Sequence, residues 1–396
     1  MSGRGGKLEP SAKPQLGVGL IGANRWAQSA HLPAYAAHAG VDLVAVCDVV
    51  PERARALQAE FGARKVYFDH QDLIADPQIG VVDVCTPTHT HLELSLAAIA
   101  AGKHVLCEKP LHTAAGPAFS AAAAAAARGV RTKLGFTFRY SPAIRQLKDW
   151  IESGRLGEIF HVHGFEQNSQ FLDADVPLRQ IAPEAPRDRL LPASIVGYGS
   201  HLVDLMRWLA GDFSAVAASM RNFVPERRIL GMQGRQRIAV EDGTVALVEF
   251  LSGAQGLLQS SYVAVGNYPG VELRVYGSKG AAIARLVTEF GIAESLKFAG
   301  ADAVEFREVE IEPARLPPGT TLATPWPELY YRNLIRHFVD EIQGGLPEEC
   351  TFRDGAMSQQ IVDTLIAAHA ERRWLALPAA PPLKAASALQ APGGGR

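Results

Sequence analysis

The chain reads as an α/β protein in two parts. A doubly wound parallel sheet comes first, and an α+β domain with a large, mostly antiparallel, open-faced sheet follows. Three observations carry that expectation. Residues 81–110, VVDVCTPTHTHLELSLAAIAAGKHVLCEKP, place a helical repeat between two short apolar runs; this is the pattern of a βαβ unit with strands buried on both faces. LGVGLI, DLVAVCD and KVYF upstream are runs of the same kind. Further along, Val271, Leu273 and Val275 alternate with Glu272, Arg274 and Tyr276, so one strand face is apolar and the other is polar or lined for a ligand. A length of 396 residues also exceeds one ordinary core.

The first strand, LGVGLI, leads into the loop Gly22-Ala23-Asn24-Arg25-Trp26-Ala27. A G-x-G-x-x-G match at Gly17, Gly19 and Gly22 lies inside the strand, where no phosphate could dock. The physical fingerprint must open the helix, so its positions are Gly22, Asn24 and Ala27. Gly22 permits the tight turn, Asn24 tolerates left-handed angles, and Ala27 lets helix and strand pack closely. DLVAVCD is the next strand and ends at Asp48. An acid ~20–25 residues past such a loop binds the ribose hydroxyls of NAD and repels the 2′-phosphate of NADP. Asp48 could also be a plain cap for the helix that starts at Pro51.

KVYF is a third strand, and the βαβ unit follows. Leu92, Leu96 and Ile99 mark its helix and Gly102 the stop. Parallel strands carry their chemistry just past their carboxyl ends. Here those ends are Thr86-Pro87-Thr88 and Glu108-Lys109-Pro110. A lysine at a buried strand terminus can hold a substrate hydroxyl, while Pro110 fixes the chain's direction. His89 and His91 have no cysteine or acid partner at ligand spacing, so a cofactor-facing loop suits them better than a metal. The alanine run Ala121–Ala127 is explained by helix propensity alone. RTKLGFTF is read as a sixth strand ending near Arg139.

The second part starts with a helix over 142–153 that stops at Gly154, and EIFHVHGFEQN then reads as a strand. Extended segments are expected at 215–223, 244–250, 254–263, 271–276 and 281–286, with GSKG a tight turn between the last two. Helices near 330–342 and 355–373 close the chain. A second chemical constellation is Gly197-Tyr198-Gly199-Ser200-His201-Leu202-Val203-Asp204. It opens a helix on which His201, Asp204, Leu205 and Trp208 share a face. His201 can act as a general base because imidazole titrates near working pH, or it can simply pack against the sheet.

Composition narrows the function. A formal net charge of -2 gives no electrostatic case for nucleic acid or an anionic membrane. No apolar run is long enough to span a bilayer, and the first residues lack a signal-peptide core. Cys47, Cys85, Cys107 and Cys350 make no metal-ligand spacing; they read as reduced core residues of a cytoplasmic protein. The expected divisions are a disordered 1–14, a dinucleotide domain over 15–140, a substrate domain over 141–377 and a disordered Ala/Pro/Gly-rich tail over 378–396.

The order of glycine loop, Asp48, TPTHTH, CEKP and FRYSPAIRQLKDWIESGRLGEI resembles the Gfo/Idh/MocA family of NAD(P)-dependent sugar and polyol oxidoreductases, from about Leu16 to Leu375. The resemblance implies a Rossmann domain binding NAD through Gly22, Ala23, Asn24, Arg25, Trp26, Asp48, Thr86, Pro87, Thr88, His91, Glu108, Lys109 and Arg139. It implies that Lys109 contacts the reacting hydroxyl beside the nicotinamide. The family pattern has an aspartate four residues before the histidine and another acid three after it. This chain keeps His201 and Asp204 but has Gly197 at the first acid position. The resulting expectation is hydride transfer between NAD and a secondary alcohol of a sugar or cyclitol. His201 is the base, Lys109 stabilises the alkoxide, and Asp204 orients the histidine. Gln167, Asn168 and Tyr262 are expected to touch the substrate, or to be ordinary solvated strand residues. No metal is expected, and copies are expected to associate through the open sheet face. The alternatives are an NAD-binding sensor on the same fold, or an NAD-dependent glycosidase or lyase using transient oxidation.

Overall fold

A computed structural model describes residues 15–178, 190–266, 270–287 and 294–382. Of the segments expected to be disordered, 1–14 and 383–396 lie outside the described residues. The first sheet contains β1 (Leu16–Ile21), β2 (Val41–Cys47), β3 (Lys65–Tyr67), β4 (Val81–Val84), β5 (His104–Cys107) and β6 (Thr132–Leu134). All pairings are parallel, in the order β3-β2-β1-β4-β5-β6. The order reverses between β1 and β4, and that is where a crevice opens at the carboxyl ends of the strands. Helices α1 (Leu32–Ala36), α2 (Pro51–Phe61), α3 (His70–Ala75), α4 (Thr88–Ala100) and α5 (Ala115–Arg128) make the crossovers. Gly102, just past α4, takes φ +76°, the left-handed stop that its residue type suggested.

After α6 (Pro142–Glu152) the chain builds the second sheet around β7 (Ile159–Gln167). Helices α7 (Ser194–Gly197) and α8 (Gly199–Ala210) precede β8 (Phe213–Arg221), and a small hairpin pairs β9 (Glu226–Arg228) with β10 (Arg235–Arg237). The large sheet is completed by β11 (Gly243–Phe250), β12 (Gln255–Ser261), β13 (Gly270–Gly277), β14 (Gly280–Val287), β15 (Glu294–Gly300), β16 (Arg307–Val309) and β17 (Leu375–Ala376). Its order is β16-β15-β14-β13-β7-β12-β11-β8-β17, antiparallel except where β7 meets β12. One face of it buries Val162, Val216, Val248 and Leu258 with Leu202, Met206 and Leu209 of α8. Helices α9 (Trp326–Ile342) and α10 (Phe352–Glu371) return to the first sheet, where Leu334, Phe338 and Phe352 join its core.

Two expectations change. RTKLGFTF pairs as a strand only over Thr132–Leu134, and Thr137–Tyr140 forms a 3₁₀ turn. Phe136 packs in the first core and Phe138 in the second, so this apolar run crosses between two cores rather than extending one sheet. His89 and His91, expected in a cofactor-facing loop, lie in the first turn of α4. The four cysteines are free and buried. No helix among the described residues is long and apolar enough to cross a membrane.

Candidate active site

The glycine loop joins β1 to a π-helical turn at Ala27–His31 that runs into α1. Gly22 takes φ +106°, and a Cβ there would meet the Cys85 carbonyl at 2.0 Å. Only glycine can therefore thread β1 past the end of β4. The Asn24 side chain accepts N–H bonds from Trp26 at 2.8 Å and Ala27 at 3.0 Å, and its Nδ2 donates to the Cys85 carbonyl. It closes the turn as a helix-start cap does. Asp48 accepts from the N–H of Ala23 at 2.7 Å and of Val50 at 2.8 Å, which fixes its half-buried carboxylate at the crevice mouth. A tight glycine turn, a helix start and a preset acid suit a dinucleotide's pyrophosphate and ribose.

Beyond the ends of β4 and β5 lies a cavity of about 510 Å³. Trp26, Phe138, Phe171, Tyr198, Trp326 and Tyr331 form aromatic walls, and Glu108, Lys109, Thr137, Gln170 and His201 supply polar groups. Lys109 Nζ donates to the Gly197 carbonyl at 2.8 Å and lies 5.8 Å from the centre of the Tyr198 ring. Burial lowers the lysine's pKa, while the Glu108 and Glu166 carboxylates oppose that shift. His201, in the first turn of α8, stacks at 4.5 Å between centroids on Phe138. Its Nδ1 is buried without a hydrogen-bond partner among the described residues. Burial, with the Lys109 charge added, holds its pKa well below the ordinary histidine value. The imidazole is therefore neutral near pH 7, the state a base requires.

Several residues expected at the site are occupied elsewhere. Asp204 forms a two-pronged pair with Arg139, Oδ2 to Nε at 2.6 Å and Oδ1 to Nη2 at 2.5 Å, and accepts from Ser358 at 3.2 Å. It makes no hydrogen bond to His201, and Arg139 is buried against this acid instead of facing a cofactor. Sharing a helix face placed Asp204 near the histidine, but a bidentate buried arginine outcompetes an imidazole. His91 is also buried, its ring nitrogens 2.8 Å from the carbonyls of Pro110 and Thr86, so it ties two strand ends together. Tyr262 is fully buried and donates to the Ala193 carbonyl, and Asn168 is buried with its amide on Glu166. Gln167 alternates with buried Glu166 along β7, which puts it on the outer face of the sheet, where it donates to Gln259. Arg25 is exposed beside the loop; Thr86, Pro87 and Thr88 stand at the end of β4, with Thr86 accepting from the Thr90 hydroxyl at 2.7 Å.

Other residues were not anticipated. Glu166 is buried with its pKa pushed up to about 8 by burial, and it accepts from Asn168 at 2.9 Å and Ser260 at 3.0 Å. The alternation Val162, Gly164, Glu166 could have marked it as a buried acid. Trp326 and Tyr331 arrive from α9, and Phe171 from the segment after β7. Nothing local in the sequence signals these approaches.

A model of the oxidoreductase family with an NAD-binding Rossmann fold matches residues 16–136, and one of the GFO/IDH/MocA C-terminal domain matches residues 144–283. Levoglucosan dehydrogenase of Pseudarthrobacter phenanthrenivorans is 28% identical over 395 residues, 92% of this chain and 98% of that protein. Myo-inositol 2-dehydrogenase of Thermotoga maritima is 31% identical over 248 residues, covering 62% and 69% of the two chains. A solved levoglucosan dehydrogenase in complex with NADH and levoglucosan superposes with a TM-score of 0.81 at 27% identity, over 92% of this chain and all of that one (100%). With a glycine turn at the switch point, Asp48 at the end of β2, and Lys109 and His201 opening into one cavity, the chain belongs to the Gfo/Idh/MocA family of NAD-binding oxidoreductases.

Proposed function

We propose that this enzyme oxidises a secondary alcohol of a sugar, sugar derivative or cyclitol, with Lys109 holding the developing alkoxide and His201 taking the hydroxyl proton. The observation that carries the reading is the opening of both side chains into one aromatic-walled cavity beyond β5. Residues 15–140 hold the dinucleotide and 141–377 shape the substrate pocket. Bound nicotinamide supplies the hydride acceptor, and the residues described fit the dinucleotide. The Gly197 carbonyl keeps the Lys109 ammonium aimed at the cavity, so the cation is in place before charge develops on the substrate oxygen. His201 receives the O–H proton on its neutral ring as the carbinol becomes a ketone, leaving a protonated imidazole; the hydride would go to the nicotinamide that the glycine loop and Asp48 would hold. The position of the family acid is filled here by Gly197, so the chain's own proton acceptor is the histidine alone.

Aromatic walls suit the apolar face of a ring sugar. The relatives named levoglucosan dehydrogenase and 1,5-anhydro-D-fructose reductase, matched over 98% and 92% of their lengths, support substrates of that kind. The outer face of the large sheet is the surface we assign to contact between copies. The deciding experiment offers levoglucosan and myo-inositol with NAD, and 1,5-anhydro-D-fructose with NADH. Nicotinamide absorbance and product analysis are followed together. Stoichiometric NADH with ketone supports the dehydrogenase. Product without net NADH points to transient oxidation, and no turnover on any sugar or polyol would overturn the reading.

A further inference from the structure

We propose that His31 is a positioning residue of this site: an imidazolium clamped between Asp83 and Glu108 that fixes the Glu108 carboxylate, ionised, beside Lys109. The proposal rests on Lys109 working as an ammonium, as argued above. His31 closes the π-helical turn that follows the glycine loop, a backbone irregularity that recurs at functional sites. It is wholly buried, as is Asp83. Its Nδ1 is 2.7 Å from Asp83 Oδ2, and its Nε2 is 3.2 Å from Glu108 Oε1.

That geometry constrains the protons. A neutral imidazole has one N–H and one bare lone pair. Set between two carboxylate oxygens, it would turn that lone pair against one of them. Two N–H groups satisfy both acceptors. Placing the extra proton on Glu108 gains little, because Oε1 also accepts from the Tyr331 hydroxyl and from Trp26 Nε1 at 3.4 Å. The other oxygen, Oε2, accepts the N–H of Lys109 at 3.2 Å. Gly135 leaves the room for this, since a Cβ there would sit 2.6 Å from Oε1. The remaining titratable groups facing His31 are the Cys85 thiol and Tyr331, whose ring lies 4.4 Å away, with Tyr35 beyond Asp83. None of them is a cation. Burial is the largest single influence and opposes a charge on the imidazole, but the Asp83 carboxylate and the Cys85 sulfur together outweigh it, and the His31 pKa rises well above the ordinary value.

The consequence reaches Lys109. Burial lowers the lysine's pKa, and Glu108 is the first carboxylate opposing it. An ionised, immobile Glu108 thus keeps the ammonium protonated to higher pH. A histidine that merely fills the core would leave that balance untouched.

The test uses the full chain labelled with ¹⁵N-histidine. Comparison with His31→Gln assigns the His31 ring among the twelve histidines. An imidazolium signature persisting through pH 8 is expected, and a ring that is neutral at pH 7 would overturn the proposal. The second readout is the alkaline limb of kcat/KM for NAD-dependent oxidation. In His31→Gln it should move down by about one pH unit, so that activity at the old midpoint falls roughly fivefold further than at pH 7. Tyr331→Phe removes one donor to Glu108 without opening the core and covers the case in which His31→Gln fails to fold. It should move the limb in the same direction; an unmoved limb in every folded variant would refute the link to Lys109. The ring measurement needs no substrate, so failure of the sugar-oxidation reading and failure of this proposal are separable.

Discussion

At the scale of single residues, the fate of Asp204 decides how His201 works. The acid and base lie three residues apart on one helix, yet the carboxylate is spent on Arg139. Asp204→Asn should therefore leave the acid limb of kcat/KM where the wild type has it while lowering the melting temperature. Arg139→Met should be worse, because it strands a buried carboxylate at a cost of about 3–5 kcal/mol. Denaturant melts and a pH–rate profile check both outcomes. A limb that moves in Asp204→Asn would return the acid to the mechanism. The sign of the wild-type limb also follows. In the proposed reaction oxidation needs the neutral imidazole, which exists above its pKa, and a lowered pKa carries the loss of activity below 6.5. Lys109→Ala should keep NADH binding, read by fluorescence titration, and reduce kcat by roughly 10²–10³. Sequence spacing singled out Lys109 and His201, which share one cavity, because one stands at the end of a strand and the other at the start of a helix. It could not expose the Arg139–Asp204 pair, whose partners are 65 residues apart.

At the scale of elements, buried parallel strands were the most legible feature, since their apolar β-branched runs are short and sharply ended. The ends of β1, β2, β4 and β5 carry the glycine loop, Asp48, Thr86 and Lys109, and those positions follow from strand order alone. What stayed hidden was the run over 132–139, where apolarity serves two cores in turn, and the short polar strands β9, β10 and β16, which have little hydrophobic pattern to read. The fixed carboxylate at the end of β2 carries a specific consequence. Asp48 is held by two backbone N–H groups, so it cannot swing away from a 2′-phosphate. NAD(H) should bind more tightly than NADP(H), and Asp48→Ser should narrow the ratio by about tenfold or more through loss of like-charge repulsion. Parallel titrations with the two cofactors measure it. Tighter NADP(H) binding by the wild type would remove Asp48 from cofactor choice and turn attention to Arg53.

At the scale of the whole molecule, the parallel sheet and the large sheet are joined by helices that belong to both. Tyr330 packs in the core of the large sheet, and Tyr331, the next residue, packs in that of the parallel sheet. Those helices and α8 cover one face of the large sheet, and the opposite face keeps apolar side chains in the open. Val245 and Leu247 of β11 remain 49% and 51% exposed, and Trp374 near β17 remains 44% exposed. Leu247 lies across the ladder from Leu257 of β12 on one side and from Ala217 of β8 on the other, so the apolar patch runs over three strands. A lone exposed leucine needs no explanation, but a contiguous patch on a flat sheet marks an interaction surface. A second copy of the same face is the simplest occupant, because a two-fold axis sets Leu247 and Val245 against their own equivalents and closes the assembly. The expected result is that the wild type sediments as a dimer or larger assembly at micromolar concentration. Leu247→Lys, which sets like charges face to face across such an axis, should sediment as a monomer with an unchanged circular dichroism spectrum. Its side chain points away from the cavity, so NADH affinity should stay within about twofold, the range expected of a surface change remote from the site. A wild type that is monomeric throughout, or a Leu247→Lys variant that assembles as before, would leave this face to some other role.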